Sequence, residues 1–86
     1  MITVELYGVP RLRAGVARVP LEAATLGEAL RGLGRACPAL EGSVLRDGGL
    51  HPAYRLSING DHFVADPGQP LADGDALLLL AADAGG

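Results

Sequence analysis

The 86-residue sequence is poor in several features, and each shortage excludes a class of protein. A single Cys rules out a disulfide within the chain. Lys is absent, and all seven residues counted as Lys or Arg are Arg. No stretch reaches the ~18 apolar residues of a membrane-spanning helix, and no charged segment followed by an apolar one begins the sequence. We therefore expect a soluble, cytoplasmic protein that does not associate with membranes.

Charge and length restrict the function further. The net charge is −3, whereas a nucleic-acid-binding domain needs a concentrated basic face. Arg11, Arg13 and Arg18 do cluster, but we interpret them mainly as a solvated loop and strand. A domain of this length buries only about 60–65% of its unfolded surface, which leaves little room for an enclosed active site. The sequence predicts one domain that does not bind nucleic acid and is not catalytic alone.

Alternating apolar residues predict the strands. Ile2, Val4 and Leu6 have the period of a half-buried strand. A second extended segment is expected over 15–21, after a loop at 11–15. The predicted order continues with a helix, a hairpin and a final apolar strand.

The second half of the sequence predicts the hairpin and the last strand. Tyr54–Ile58 alternates again, and Asn59-Gly60 after it is the strongest short hairpin signal, because both residues tolerate positive φ. His62–Val64 is the expected returning strand. The apolar run at 76–80 predicts the final strand, and 40–50 is expected to be a loop with about one helical turn.

The main helix is predicted to begin after Thr25. Thr25 and Glu28 have capping-box spacing, in which the Thr hydroxyl accepts from the Glu28 amide and the Glu carboxylate accepts from the Thr25 amide. Pro38 ends the helix. One apolar face recurs at helical spacing and consists of Leu26, Ala29, Leu30, Leu33 and Cys37. We predict an α+β fold, a mixed sheet of four to five strands with this one main helix packed on one face.

Five segments in this order resemble the ubiquitin-like sulfur carriers. They are residues 2–7, 25–30, 56–60, 70–75 and the terminal Gly85-Gly86. The likeness is greatest to the small subunit of molybdopterin synthase, and the thiamin-biosynthesis sulfur carrier is a sister family. The resemblance implies a β-grasp, ubiquitin-like domain at 1–80 and a flexible C-terminal tail at 81–86.

The resemblance also implies the chemistry. In this family a ubiquitin-activating-type adenylyltransferase uses ATP and Mg²⁺ to adenylate the terminal carboxylate, here that of Gly86. The adenylate becomes a thiocarboxylate, which gives its sulfur to an acceptor such as a molybdopterin synthase large subunit. Gly85 is expected to provide clearance, because Gly has no Cβ. We expect no cofactor or metal on the chain itself, since His51 and His62 have no partners at ligand spacing.

A partner-binding surface is expected around the last strand and the tail. Successive side chains of a strand point to opposite faces, so Leu78 and Leu80 face away from the helix. Clustered apolar side chains on such a surface indicate an interface. The predicted partner-binding residues are Leu78, Leu80, Ala81, Ala82, Asp83 and Ala84.

Three functions remain open at this point. The favoured one is a sulfur carrier for molybdenum cofactor biosynthesis. The others are a protein modifier conjugated through the same Gly86 and a non-catalytic β-grasp interaction module. The absence of Lys excludes lysine-linked polymers of the protein itself, but the sequence does not identify the acceptor.

Overall fold

The computed structural model describes residues 1–82, so the predicted tail residues Asp83, Ala84, Gly85 and Gly86 lie outside the described residues. Two strands and two helices alternate in the first part of the described chain, a 3-10 turn at Pro38–Leu40 follows the longer helix, and five strands complete it. The elements in chain order are β1 (Ile2–Leu6), α1 (Val9–Ala14), β2 (Arg18–Leu21), α2 (Leu26–Ala36), β3 (Leu45–Arg46), β4 (Gly49–Leu50), β5 (Tyr54–Ile58), β6 (His62–Val64) and β7 (Ala76–Ala81).

Five strands form one mixed sheet in the order β2-β1-β7-β5-β6, and β3 pairs with β4 in a separate ribbon. The last strand lies at the centre, parallel to β1 and antiparallel to β5. This position satisfies the backbone groups of the apolar strand on both sides. The sheet, with α2 as its main helix, confirms the predicted β-grasp fold.

The core lies between α2 and the sheet face beneath it. Along β1, buried residues alternate with half-buried ones, as the period of a strand requires. All of the core positions predicted from the strands and the helix are buried: Ile2, Val4, Leu6, Leu26, Leu30, Leu33, Cys37, Leu56, Ile58, Leu77 and Leu79. Each buried Leu contributes ~1.5–3 kcal/mol, which is why packing holds a helix that contains three Gly.

The start of α2 follows the predicted capping box with one correction. Thr25 Oγ1 accepts a hydrogen bond from the Glu28 amide at 3.3 Å. The Glu28 carboxylate, however, accepts from the Ala24 amide at 3.0 Å and not from the Thr25 amide. The Gly27 amide donates to the Pro67 carbonyl at 2.9 Å, so the first turn is also tied to a distant loop.

The expectation of a loop over 11–15 is wrong, because residues 9–14 form α1. Gly8 precedes this helix with a φ of 64°, and Gly15 ends it in the left-handed conformation with a φ of 77°. The Gly15 amide donates to the Arg11 carbonyl at 2.9 Å. Only Pro10 is buried in α1, so the helix has no apolar periodicity that a sequence reading could detect.

The segment 40–50 is also more structured than predicted. It contains the β3-β4 ribbon, and its turn residues Asp47 and Gly48 have φ values of 52° and 76°. Positive φ at both central residues is the geometry of a tight hairpin turn. Val44 and Leu45 are buried here, so this ribbon adds to the core.

Within residues 1–82, no helix is both long enough and apolar enough to cross a membrane.

Candidate functional site

The last strand carries the chain to the root of the predicted tail. Ala81 pairs with Tyr54, and the Ala82 amide donates to the Ala53 carbonyl at 2.8 Å. Paired structure therefore continues past residue 80, where the domain was predicted to end. Because β1 and β7 are parallel, Tyr7, which directly follows β1, lies at the same end of the sheet as Ala82. We call this the tail-exit end.

An apolar groove of about 480 Å³ borders the tail-exit end. Its lining comes from the segment that joins β1 to the start of α1, from the start of β5 and the residue before it, and from the end of β7. The lining residues, none of them charged, are Tyr7, Gly8, Val9, Ala53, Tyr54, Leu80, Ala81 and Ala82. The groove thus brings together three residues of the predicted partner surface and fits an apolar group of another protein.

The sheet face turned away from α2, here called the open face, carries the other predicted partner residue. Leu78 and Leu80 are half-buried there, whereas Leu77 and Leu79 on the same strand are fully buried. The sheet register places Leu78 between Glu5 and Ser57. Half-burial leaves apolar surface on Leu78 and Leu80 that a partner can cover.

Two exposed aromatic residues border these leucines and were missed in the sequence. Phe63, which is 52% exposed, pairs with Ser57, the residue opposite Leu78. The Arg55 guanidinium lies 5.2 Å from the centre of the Phe63 ring, a cation–π contact. Tyr7 is 44% exposed. The position of Phe63 was predictable from the sequence. Successive side chains of a strand point to opposite faces, so Phe63 lies on the face opposite Val64.

The polar groups of the site are held by a hydrogen bond between Tyr7 and Glu5. Tyr7 Oη donates to the Glu5 carboxylate at 2.8 Å. This bond, together with burial and the Glu5 charge, raises the pKa of Tyr7, and the positive charges of Arg18 and Arg11 oppose the rise. A phenol with a raised pKa stays neutral near pH 7. Tyr7 therefore acts as a hydrogen-bonding surface group.

Cys37 belongs to the core, as predicted, and not to this site. Burial raises the pKa of its thiol, which disfavours the thiolate that a sulfur relay would need. Among residues 1–82, no group of three or more His, Cys, Asp or Glu is placed to hold a metal ion. The sulfur chemistry expected of the tail, at Gly85 and Gly86, falls outside the described residues.

At the opposite end of the sheet, the polar groups have structural roles. The Met1 amino group bonds to Asp73, and the Asp75 carboxylate accepts from the Ala72 amide at 2.8 Å. Asp75 also accepts from the Asn59 side chain at 3.0 Å. The bond from Ala72 to Asp75 is the local bond expected of a turn residue, whereas the bond from Met1 to Asp73 joins residues far apart in the sequence.

No protein-family model matches the sequence, and no curated protein matches it. Solved structures do match. SAMP1 from Haloferax volcanii is 35% identical with a TM-score of 0.78, and the match covers 99% of this chain and 98% of that one. In the BexX/CysO complex from Amycolatopsis orientalis, the matching chain is 24% identical with a TM-score of 0.80, and both chains are covered in full, 100% each.

A third match is the complex of subunits 1 and 2 of the molybdopterin-converting factor from Helicobacter pylori 26695, at 25% identity, a TM-score of 0.64 and coverage of 99% and 97%. The relationship to SAMP1 spans nearly the whole of both chains, and the β-grasp sheet with its central last strand is the architecture expected of that group. This chain belongs to the ubiquitin-like sulfur carriers.

Proposed function

We propose that the protein carries sulfur on the C-terminal carboxylate of Gly86 and delivers it to an acceptor enzyme in molybdenum cofactor biosynthesis. One observation carries the proposal: the central strand β7 leads directly from the core to the Gly85-Gly86 tail, beside an uncharged apolar groove. The rigid sheet presents the tail, and the catalytic groups come from partner enzymes.

The chemistry requires activation because a carboxylate is a poor electrophile. A carboxylate oxygen of Gly86 attacks the α-phosphate of ATP in the adenylyltransferase, pyrophosphate leaves, and Mg²⁺ neutralises the phosphate charge. Hydrosulfide then attacks the carbonyl carbon, forming a C–S bond and releasing AMP. The product is a thiocarboxylate. A Gly at each of the last two positions lets the backbone enter a narrow active site without a Cβ in the way.

Tail length makes partner docking a requirement. Four residues, 83–86, span at most ~14 Å when fully extended. An enzyme that reacts with Gly86 must therefore approach the root of the tail closely. We propose that it contacts Leu80, Ala81 and Ala82 at the groove, while Asp83 and Ala84 enter the partner with the tail.

The open face is proposed to extend this docking surface through Leu78. Phe63 and Tyr7 border it and add exposed aromatic area, and aromatic residues are enriched at the centres of protein interfaces. Two related structures are complexes, one with BexX and one with subunit 2 of the molybdopterin-converting factor. We propose two partners for this chain. One is the adenylyltransferase, and the other is an acceptor similar to subunit 2 of the molybdopterin-converting factor.

A second function has one specific observation in its favour. A structure that is 34% identical to this chain is described as the small archaeal modifier protein 1 of H. volcanii. Conjugation to target lysines would use the same adenylated Gly86. Intact mass spectrometry of protein from its own host separates the two fates, because sulfur replacing one oxygen and a conjugated target give different masses.

The proposal is tested by pyrophosphate exchange with the adenylyltransferase, ATP and Mg²⁺. Deleting Gly86, or adding one residue after it, is expected to abolish exchange because the reacting carboxylate is misplaced. The thermal unfolding of both variants is expected to match that of the unaltered protein, which serves as the control for folding. Undiminished exchange by the truncated chain would refute the role of Gly86.

A further inference from the structure

The segment that follows β1, residues 7–16, carries most of the exposed large apolar side chains of residues 1–82. Six large hydrophobic residues are exposed within residues 1–82, and four of them lie between residues 7 and 16. Leu12 on α1 is the most exposed, at 81%, and Val9 and Val16 flank it at 46% and 45%. Because Val9 also lines the groove at the root of the tail, this surface continues the tail-exit end.

Two arginines stand beside this apolar surface. Arg11 on α1 and Arg18 on β2 share a depression of about 310 Å³ with Glu5 and Tyr7. The positive charges of both guanidinium groups oppose the rise in the pKa of Tyr7. We call Arg11 and Arg18 the arginine collar.

The collar has no carboxylate partner among residues 1–82, where no ion pair within 4.0 Å involves either Arg11 or Arg18. The nearby acid, Glu5, lies opposite Arg18 in the sheet register and accepts a hydrogen bond from Tyr7. The protein as a whole has a net charge of −3. With two guanidinium groups beside one carboxylate, the depression is a local reversal of sign, and it adjoins the groove at the tail-exit end through Tyr7.

We propose that the arginine collar recognises carboxylates on the adenylating enzyme and steers that enzyme to the tail-exit end. The inference rests on the proposed function, because it names the partner that activates Gly86. Guanidinium groups suit this task, since they bind carboxylates in a fixed two-point geometry. Exposed charge complementarity acts mainly on the rate of association and is screened by salt.

The test compares two double variants with the same change of charge. Arg11→Gln/Arg18→Gln removes the collar, and Arg35→Gln/Arg46→Gln removes two other exposed arginines, on α2 and β3. Each pair takes the net charge from −3 to −5, because two positive charges are lost. The measured quantity is kcat/KM for pyrophosphate exchange with the host's adenylyltransferase, at low salt and at high salt.

The collar variant is expected to lower kcat/KM about tenfold at low salt, mainly through KM, with a much smaller loss at high salt. The control variant is expected to change it less than about twofold. Equal losses in both variants would show that net charge alone acts, and no loss in either would also overturn the proposal. Absence of exchange with the unaltered chain would instead refute the proposed function, and the inference with it.

Discussion

The two faces of the central sheet use the same residue type in different ways. β7 contains four consecutive leucines, of which Leu77 and Leu79 are fully buried under α2 and Leu78 and Leu80 are half-buried on the open face. Their hydrophobicity is identical, so the layers of the fold decide the difference. A sheet covered by a single main helix keeps a second apolar surface available for a partner.

The neighbours of these leucines differ as much as their burial. Under α2, the strand next to β7 contributes Val4 and Leu6, and the surroundings are aliphatic. On the open face, the neighbours of Leu78 and Leu80 include Glu5, Arg55 and Ser57. Charged groups among the leucines limit the size of any continuous apolar patch on this face.

The largest effect is expected on the covered face. Leu79→Ala, and Leu30→Ala on the facing side of α2, should each lower the free energy of unfolding by ~2–5 kcal/mol, because each leaves a cavity in a packed core. Urea denaturation measures the loss. A change below about 0.5 kcal/mol in either variant would break the comparison, since it would place that leucine outside the core.

On the open face, the expected effect is on binding and not on folding. Leu78→Asp and Leu80→Asp should weaken binding to the adenylyltransferase about tenfold or more, a change of ~1.4 kcal/mol, because each puts a charge into the docking surface. Isothermal titration measures the affinity, and circular dichroism checks the fold. Leu77→Asp is the matched control and is expected to unfold the domain. If both open-face variants unfold as well, those leucines belong to the core.

A smaller effect, a gain in the free energy of unfolding, is expected from a substitution in α2, the helix that covers the sheet. Gly32→Ala should raise the free energy of unfolding by up to ~1 kcal/mol, because Ala is the better helix former and a Cβ at residue 32 meets only the Leu21 side chain at 3.5 Å. Exchange activity should not change, because α2 lies on the other face from the docking surface.

Gly27→Ala is the control for that gain. A Cβ at residue 27 would lie 3.2 Å from the Pro67 carbonyl oxygen, which is backbone and yields less readily than a side chain. The variant is therefore expected to gain less than Gly32→Ala in the same denaturation series. An equal gain would show that the contact between α2 and the Pro67 loop is not tight.

The smallest expected effect is on the pH dependence of the free energy of unfolding, which does not distinguish the two faces of the sheet. Hydrogen bonds from the Ala72 amide and then from the Asn59 side chain hold the pKa of Asp75 below its ordinary value. The stability from this shift is present above the unfolded pKa of about 3.9 and is lost as pH falls through the lower folded value. Unfolding of Asp75→Asn should therefore depend less on pH below about pH 4 than that of the unaltered protein. Identical slopes would contradict the role of these bonds.

Local patterns in the sequence determined most of the covered face. The alternation of Ile2, Val4 and Leu6 predicted β1, and the Asn59-Gly60 turn was predicted from residue type alone and has φ values of 55° and 69°. These features were predictable because they depend on neighbours within a few positions. The Gly85-Gly86 ending is also read from the sequence, and the chemistry proposed for it comes from the resemblance to the family.

Only the tertiary structure decided the surroundings of the tail. α1 is flanked by glycines and has only one buried residue, so no apolar periodicity predicted it. The parallel pairing of β1 with β7 brings Tyr7 beside Leu80 at the groove, although the two are far apart in sequence. The antiparallel pairing of β1 with β2 sets Arg18 opposite Glu5, in the depression that Arg11 and Tyr7 also line. Such contacts depend on strand order and register, which join distant segments, and local propensity does not encode them.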